Sequence, residues 1–115
     1  MTPDDDARLR HMLEAARDAM SFVEDCSRED LDRDRKLALA IVKCIEIIGE
    51  AAAKVTAETR QSNPSIPWPA IVGMRNRLIH GYFEIDLDRV WNTVRINLPP
   101  LVEMLVEAIG PNCPD

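Results

Sequence analysis

The stretch Met74-Arg75-Asn76-Arg77-Leu78-Ile79-His80-Gly81-Tyr82 brings two arginines, an asparagine, a histidine and a tyrosine into a short span of chain. The whole sequence holds only two histidines and a single tyrosine, so proton transfer near neutral pH concentrates here. Arginine offers a fixed cationic fork that fits phosphate, and histidine a group that takes or gives a proton. Such a pair suffices for metal-free cleavage of RNA, because RNA carries its own nucleophile, the 2′-hydroxyl. The protein then supplies a base or acid for the proton and a cation for the charge that builds on the phosphate.

Spacing by itself leaves the pairing open. On a regular helix the side chains of Arg75 and His80 point about 140° apart. A helix that ends at His80 would free the imidazole to swing, and a symmetric dimer would set the pair of one chain beside the pair of the other. Against both stands a plainer reading, in which His80 occupies a helix C-terminus that favours its cation and Arg75 faces solvent.

Other candidates are weaker. His11 lies among Arg8, Arg10 and Glu14 and reads as a solvated surface residue. The acidic runs Asp4-Asp5-Asp6 and Glu29-Asp30, with Asp32 and Asp34, lack the glycine and ordered spacing of a calcium loop and fit helix starts. Glu46 and Glu50 sit one turn apart and could serve acid–base work or a metal, but no histidine accompanies them. Trp68 and Trp91 read as core or dimer-seam residues. Cys26, Cys44 and Cys113 show no metal-ligand spacing and read as free thiols in a reducing cytoplasm. No phosphate-cradling glycine loop and no cofactor motif is present, so no cofactor is expected.

With 115 residues, 46% hydrophobic and 30% charged, the chain is expected to be one soluble domain over 1–115, small enough to gain from a partner subunit. No apolar run reaches the roughly 18 residues that span a bilayer, and the acidic N-terminus is the opposite of a signal peptide. A formal net charge of −6 excludes a general nucleic-acid binder. Any RNA has to meet a local basic pocket, or the chain is not an RNA-binding protein at all.

Helical periodicity must position the motif. Leu9, Met12, Leu13, Ala16, Met20 and Val23 predict a first helix from Asp4 to about Asp25. Ser27 and Asp30 have capping-box spacing before a long second helix from about Leu31 to Arg60. Its stripe is Leu37, Ile41, Cys44, Ile48, Ala52 and Val55, widened by Ile45 and Ile47. Three prolines between Pro64 and Pro69 break the chain. A third helix then runs from near Trp68 to Gly81, a fourth starts at Asp86 or Asp88, Pro99-Pro100 turns the chain, and Leu101 to Ile109 forms the last. No alternating strand pattern appears. The fold expected is all-α, a bundle of roughly four or five helices.

At this point the motif resembles a known family. Arg75, four residues, His80 and then Gly81-Tyr82 look like the Arg-x4-His-x-Tyr signature of HepT-like toxins, in the HEPN ribonuclease superfamily. Ile47-Ile48-Gly49-Glu50-Ala51-Ala52, Ile66-Pro67-Trp68, Gly73-Met74-Arg75-Asn76 and Tyr82-Phe83 through Val90-Trp91 also look like that family, so the resemblance covers nearly the whole chain. It implies a HEPN-type helical homodimer whose two Arg/His motifs face each other in a composite cleft. It implies a metal-independent endoribonuclease toxin of a type VII toxin–antitoxin system, with RNA as substrate. It further implies a nucleotidyltransferase antitoxin of the MNT type as partner, which silences the toxin by AMPylation of Tyr82. Arg75 and His80 would be catalytic, with Asn76 and Arg77 supporting RNA binding. Two other functions remain open: a non-catalytic nucleotide- or substrate-binding partner of a nucleotidyltransferase, and a purely structural dimerising bundle.

Overall fold

The first helix begins where three local signals agree. The Thr2 side chain accepts the backbone N–H of Asp5, Pro3 sits where a missing N–H is harmless, and Asp4, Asp5 and Asp6 place negative charge at the positive end of the dipole. In the computed structural model, which describes residues 1–81 and 84–110, this helix, α1, spans Pro3–Phe22. Its inward stripe of Leu9, Met12, Leu13, Ala16 and Ala19 packs against α3 (Arg35–Lys54) and α7 (Leu98–Ile109).

The long second helix expected from Leu31 to Arg60 is instead three: α2 (Asp30–Arg33), α3 and α4 (Ala57–Ser62). Asp34 leaves the helical region, with φ −124° and ψ 92°, and its carboxylate accepts the N–H of Leu37 at 3.1 Å. Val55 and Thr56 are extended, and the Thr56 hydroxyl accepts the N–H of Thr59. At both places a short polar side chain offers the backbone a local partner that competes with helix continuation. The expected stripe still faces inward: Ile41, Cys44, Ile48, Ala52 and Val55 are buried, and Ile45 joins them. Arginines cover the carbonyls at the end of α3. Arg60 donates to Ala52 O at 2.8 Å and Val55 O at 3.2 Å while stacking over the Trp68 ring, and Arg8 donates to Lys54 O at 3.1 Å.

The third helix is also shorter than its pattern predicts. Helix α5 covers only Trp68–Val72, and a 3₁₀ turn follows at Arg75–Arg77. Gly73 caps α5, and the N–H groups of Met74, Asn76, Arg77 and Leu78 each reach the carbonyl three residues back, so the chain tightens instead of extending the helix. Strand β1 (Ile79–His80) then pairs antiparallel with β2 (Glu84–Ile85), Ile79 opposite Ile85 and His80 opposite Glu84. Strands of two residues are too short to leave an alternating pattern. Gly81, between them, has φ +70°, a conformation that glycine adopts freely.

From Leu87 onward the helix does not break. Helix α6 (Leu87–Asn92) passes through a π-helical turn (Thr93–Asn97) directly into α7, with Pro99 and Pro100 inside its first turn. In a regular helix each proline ring would collide with the carbonyl four residues back. The wider π turn, in which the N–H of Leu98 reaches Thr93 O, relieves that collision. The prolines therefore do not turn the chain as their sequence predicts. The architecture is an all-α bundle around one apolar core, and no helix among the described residues is long and apolar enough to cross a membrane.

One buried charge locks the N-terminus onto α4. Asp5 is fully buried and accepts the Thr56 N–H at 3.2 Å, the Thr56 hydroxyl at 2.5 Å and the Thr59 hydroxyl at 2.6 Å. The two hydroxyls, Thr56 first, hold its carboxyl below the usual range against the opposing effect of burial. A depressed folded value adds stability that is present above the unfolded value near 3.9 and lost as the pH falls through the folded one. Thermal melts across the acid range should therefore show Asp5→Asn melting below the wild type at neutral pH and closing that gap as the pH falls below about 4. A gap that does not change with pH would remove the charged latch.

Candidate active site

The platform for the site is a bare stretch of helix backbone. A Cβ at Gly49 would stand 3.3 Å from the Ile71 carbonyl oxygen and 3.4 Å from that of Val72, a tight fit, so the end of α5 lies directly against the α3 backbone at this point. The 3₁₀ turn that leaves α5 therefore emerges beside Glu46, one turn earlier on α3. There Arg75 Nε lies 3.6 Å from Glu46 Oε2, and Lys43 Nζ donates to Glu46 Oε1 at 3.3 Å. Exposed pairs of this kind add little stability. Their effect here is orientation, since the Arg75 side chain remains 43% exposed with guanidinium nitrogens available to an anion.

His80 is positioned from another direction. It lies in β1, not at a helix C-terminus, so the dipole argument does not apply. Its Nε2 is 3.5 Å from Asp86 Oδ2, and its side chain is 60% exposed. Asp86 is rigidly placed: its own N–H donates to Leu78 O at 2.7 Å, its Oδ1 accepts the Arg89 N–H at 3.2 Å, and its Oδ2 lies 3.3 Å from Arg89 Nε. The Arg89 backbone N–H, more than the nearby His80 and Arg89 side chains, holds the Asp86 carboxyl below its ordinary range. Asp86 thus keeps its negative charge wherever an imidazole titrates, and it fixes the ring by one nitrogen while the rest stays open to solvent.

The remaining expected residues fall out unevenly. Asn76 and Arg77 are exposed on the 3₁₀ turn, and Arg77 folds back to donate from Nη2 to the Ala70 carbonyl. Tyr82 lies outside the described residues, as do Phe83 and Cys113. Arg75 and His80 are anchored by different elements, Arg75 to α3 and His80 to the start of α6. Asp86 was legible as a helix cap but not as a partner of His80, and Glu46 as half of a carboxylate pair but not as a partner of Arg75. His11 and Glu50 are exposed, Trp68 is core, and Trp91 is half-buried with Arg95 over its ring at 5.4 Å. Among the described residues no three His, Cys, Asp or Glu side chains cluster as a metal site. Cys26 and Cys44 are free thiols, and burial pushes the Cys44 thiol up.

Comparison with known proteins places this geometry in a family. The family model described as "Ribonuclease HepT-like" matches residues 12–108. The "Probable ribonuclease HepT" of Thermococcus cleftensis is 36% identical over 93 residues, covering 77% of this chain and 84% of its own length. Relatives named "Putative RNase" occur in Caldanaerobacter subterraneus, 35% identical over 88% of this chain and 90% of the relative, and in Methanocaldococcus jannaschii, 35% identical over 83% of this chain and 78% of the relative. No solved structure matches.

Gly49→Val tests the platform. The added methyls meet backbone carbonyls that cannot swing aside, an overpacking of about 2 kcal/mol, which lowers Tm by roughly 8 °C for a domain of this size. Gly49→Ala should lose less, because the gain in helix propensity of about 1 kcal/mol offsets part of the clash. A Gly49→Val melt equal to that of the wild type would show that α5 does not rest on α3 at this point.

Proposed function

The chain belongs to the HepT-like ribonuclease family, and on that premise we propose that it is a metal-independent endoribonuclease toxin. The observation that carries the reading is a cation and an imidazole, five residues apart in sequence, each exposed and each held by a separate carboxylate. In the proposed reaction an imidazole nitrogen of His80 removes the proton of the 2′-hydroxyl. The 2′-oxygen attacks phosphorus, the P–O5′ bond breaks, and the departing 5′-oxygen takes up a proton. The products are a 2′,3′-cyclic phosphate and a 5′-hydroxyl. Arg75 stabilises the extra charge on the phosphate oxygens as the bonds exchange. Asp86 holds the ring and stands by the imidazolium while the proton is on it. Asn76 and Arg77 support binding of the RNA.

The working unit in this proposal is a homodimer in which two motifs face one another, so that one imidazole serves as base and the other as acid. Arg75→Ala should reduce cleavage by roughly a hundredfold to a thousandfold, and His80→Ala by roughly a hundredfold to ten-thousandfold. Both variants should keep the wild-type melt and the dimer mass in light scattering, because neither side chain belongs to the core. Cleavage should persist in EDTA. Activity that vanished on chelation and returned with magnesium would overturn the mechanism.

The proposed regulation runs through Tyr82, the only tyrosine of the sequence. An MNT-type nucleotidyltransferase antitoxin would transfer AMP from ATP to its hydroxyl, releasing pyrophosphate. The adduct adds bulk and about one negative charge per AMP two residues from His80, where the RNA phosphate has to sit. Tyr82→Phe should fold, dimerise and cleave RNA, yet resist silencing by the cognate enzyme with ATP. Mass spectrometry should find AMP on the wild type alone. A Tyr82→Phe chain that still gained AMP and lost activity would move the modification elsewhere.

A further inference from the structure

We propose that the groove between the α5–3₁₀ segment and the π–α7 segment is a nucleotide subsite. It takes the ribonucleotide beside the scissile phosphate, the base on the groove floor and the phosphate on Arg77 and Arg89. The inference rests on the ribonuclease reading and adds to it where the flanking nucleotide is held.

The cavity measures about 680 Å³, within the range of small-ligand sites. Its floor is apolar, formed by the buried Ile71, Leu78 and Leu98. Thr93 and Asn97, first and last residues of the π turn, also line the groove and carry a hydroxyl and an amide. The Thr93 hydroxyl gives its proton to Arg89 O at 2.7 Å, which leaves it an acceptor, while the amide of Asn97 both donates and accepts. An apolar floor with mixed hydrogen-bonding edges suits a heteroaromatic base.

Charge adds the second half of the ligand. Arg77 enters from the 3₁₀ turn and Arg89 from α6, so two guanidinium groups line the groove of a chain whose net charge is −6. Neither is consumed by its protein partner: Arg77 gives Nη2 to the Ala70 carbonyl, and Arg89 presents Nε to Asp86, each with further N–H groups available. The Asp86 carboxylate also faces His80 Nε2 at 3.5 Å. Arg89 is thus one carboxylate removed from the imidazole, and an anion on it is a neighbour of the phosphate under attack.

The test is an NMR titration of the full-length protein with AMP and CMP, against inorganic phosphate as the charge-only probe. The nucleotides should move the signals of Thr93, Asn97 and Leu101 saturably, and phosphate only those of Arg77 and Arg89. Met104→Trp, which fills the groove from α7, should weaken AMP binding at least about tenfold, the scale of losing a base contact. Asn97→Leu, at an exposed position, removes the amide without crowding the floor and should raise KM for short RNAs more than it lowers kcat. The inference falls if nucleotide and phosphate move the same signals, if nothing moves, or if the groove signals follow protein concentration, which would place a second copy there. Cleavage without nucleotide in the groove overturns this inference and leaves the ribonuclease reading standing. Nucleotide in the groove without cleavage overturns that reading, and with it the placement of the scissile phosphate.

Discussion

Everything chemical in this protein hangs on the approach of two backbones. At Gly49 the α3 helix has no side chain, and the carbonyl oxygens of Ile71 and Val72 lie 3.3 and 3.4 Å from where a Cβ would stand, close enough to crowd one. That contact fixes where α5 ends and so where the 3₁₀ turn begins. The turn sets Arg75 against Glu46, buries Leu78 and directs the chain into β1, which carries His80. Leu78 in turn accepts the N–H of Asp86. The carboxylate that faces the imidazole is thereby tied back to the turn that carries the arginine.

Acidic residues supply much of this architecture. Asp34 and Asp86 cap helices with their side chains, Asp5 is a buried acceptor for two threonines, and Glu46 lies between Lys43 and Arg75. Asp88 and Asp32 share Arg28, tying the turn before α2 to α6. In this chain of net charge −6, Glu46 and Asp86 at the candidate site face Arg75 and Arg89, while Arg77 donates to the Ala70 carbonyl. The charge total says little about the potential felt by an anion at Arg75, Arg77 and Arg89, since exposed charges beyond about a Debye length are screened.

The two partner carboxylates are held by different kinds of contact. Asp86 is held by backbone and side chain together, so the charge beside His80 is fixed and its carboxyl lies below the ordinary range. Glu46, half-buried on α3, accepts from Lys43 Nζ and lies 3.6 Å from Arg75 Nε, an arrangement that leaves other guanidinium N–H groups available. In the proposed reaction the anion beside His80 would stand by a proton carried briefly on the ring, and Arg75 would keep donors for a phosphate.

Periodicity determined the inward faces of α1 and α3, because burial of Leu9, Met12, Ile41, Ile48 and their neighbours depends only on spacing along a helix. The same periodicity, with no alternating pattern, pointed to the all-α fold class, and the resemblance carried by the Arg75–His80 motif and its flanking segments pointed to the family and the candidate residues. Helix ends were another matter. Asp34, Thr56 and Gly73 stop helices through caps that compete with a continuing pattern by a small margin, and the π turn before Pro99 exists because the rest of α6 and α7 packs as one helix. The partners of the motif were hidden for a similar reason. Glu46 is far from Arg75 in sequence, and Asp86 comes to His80 through the antiparallel pairing of β1 with β2. No spacing rule connects a side chain to a partner on another element. Only the close contact at Gly49 and the pairing of Ile79 with Ile85 bring those carboxylates to the groups they hold.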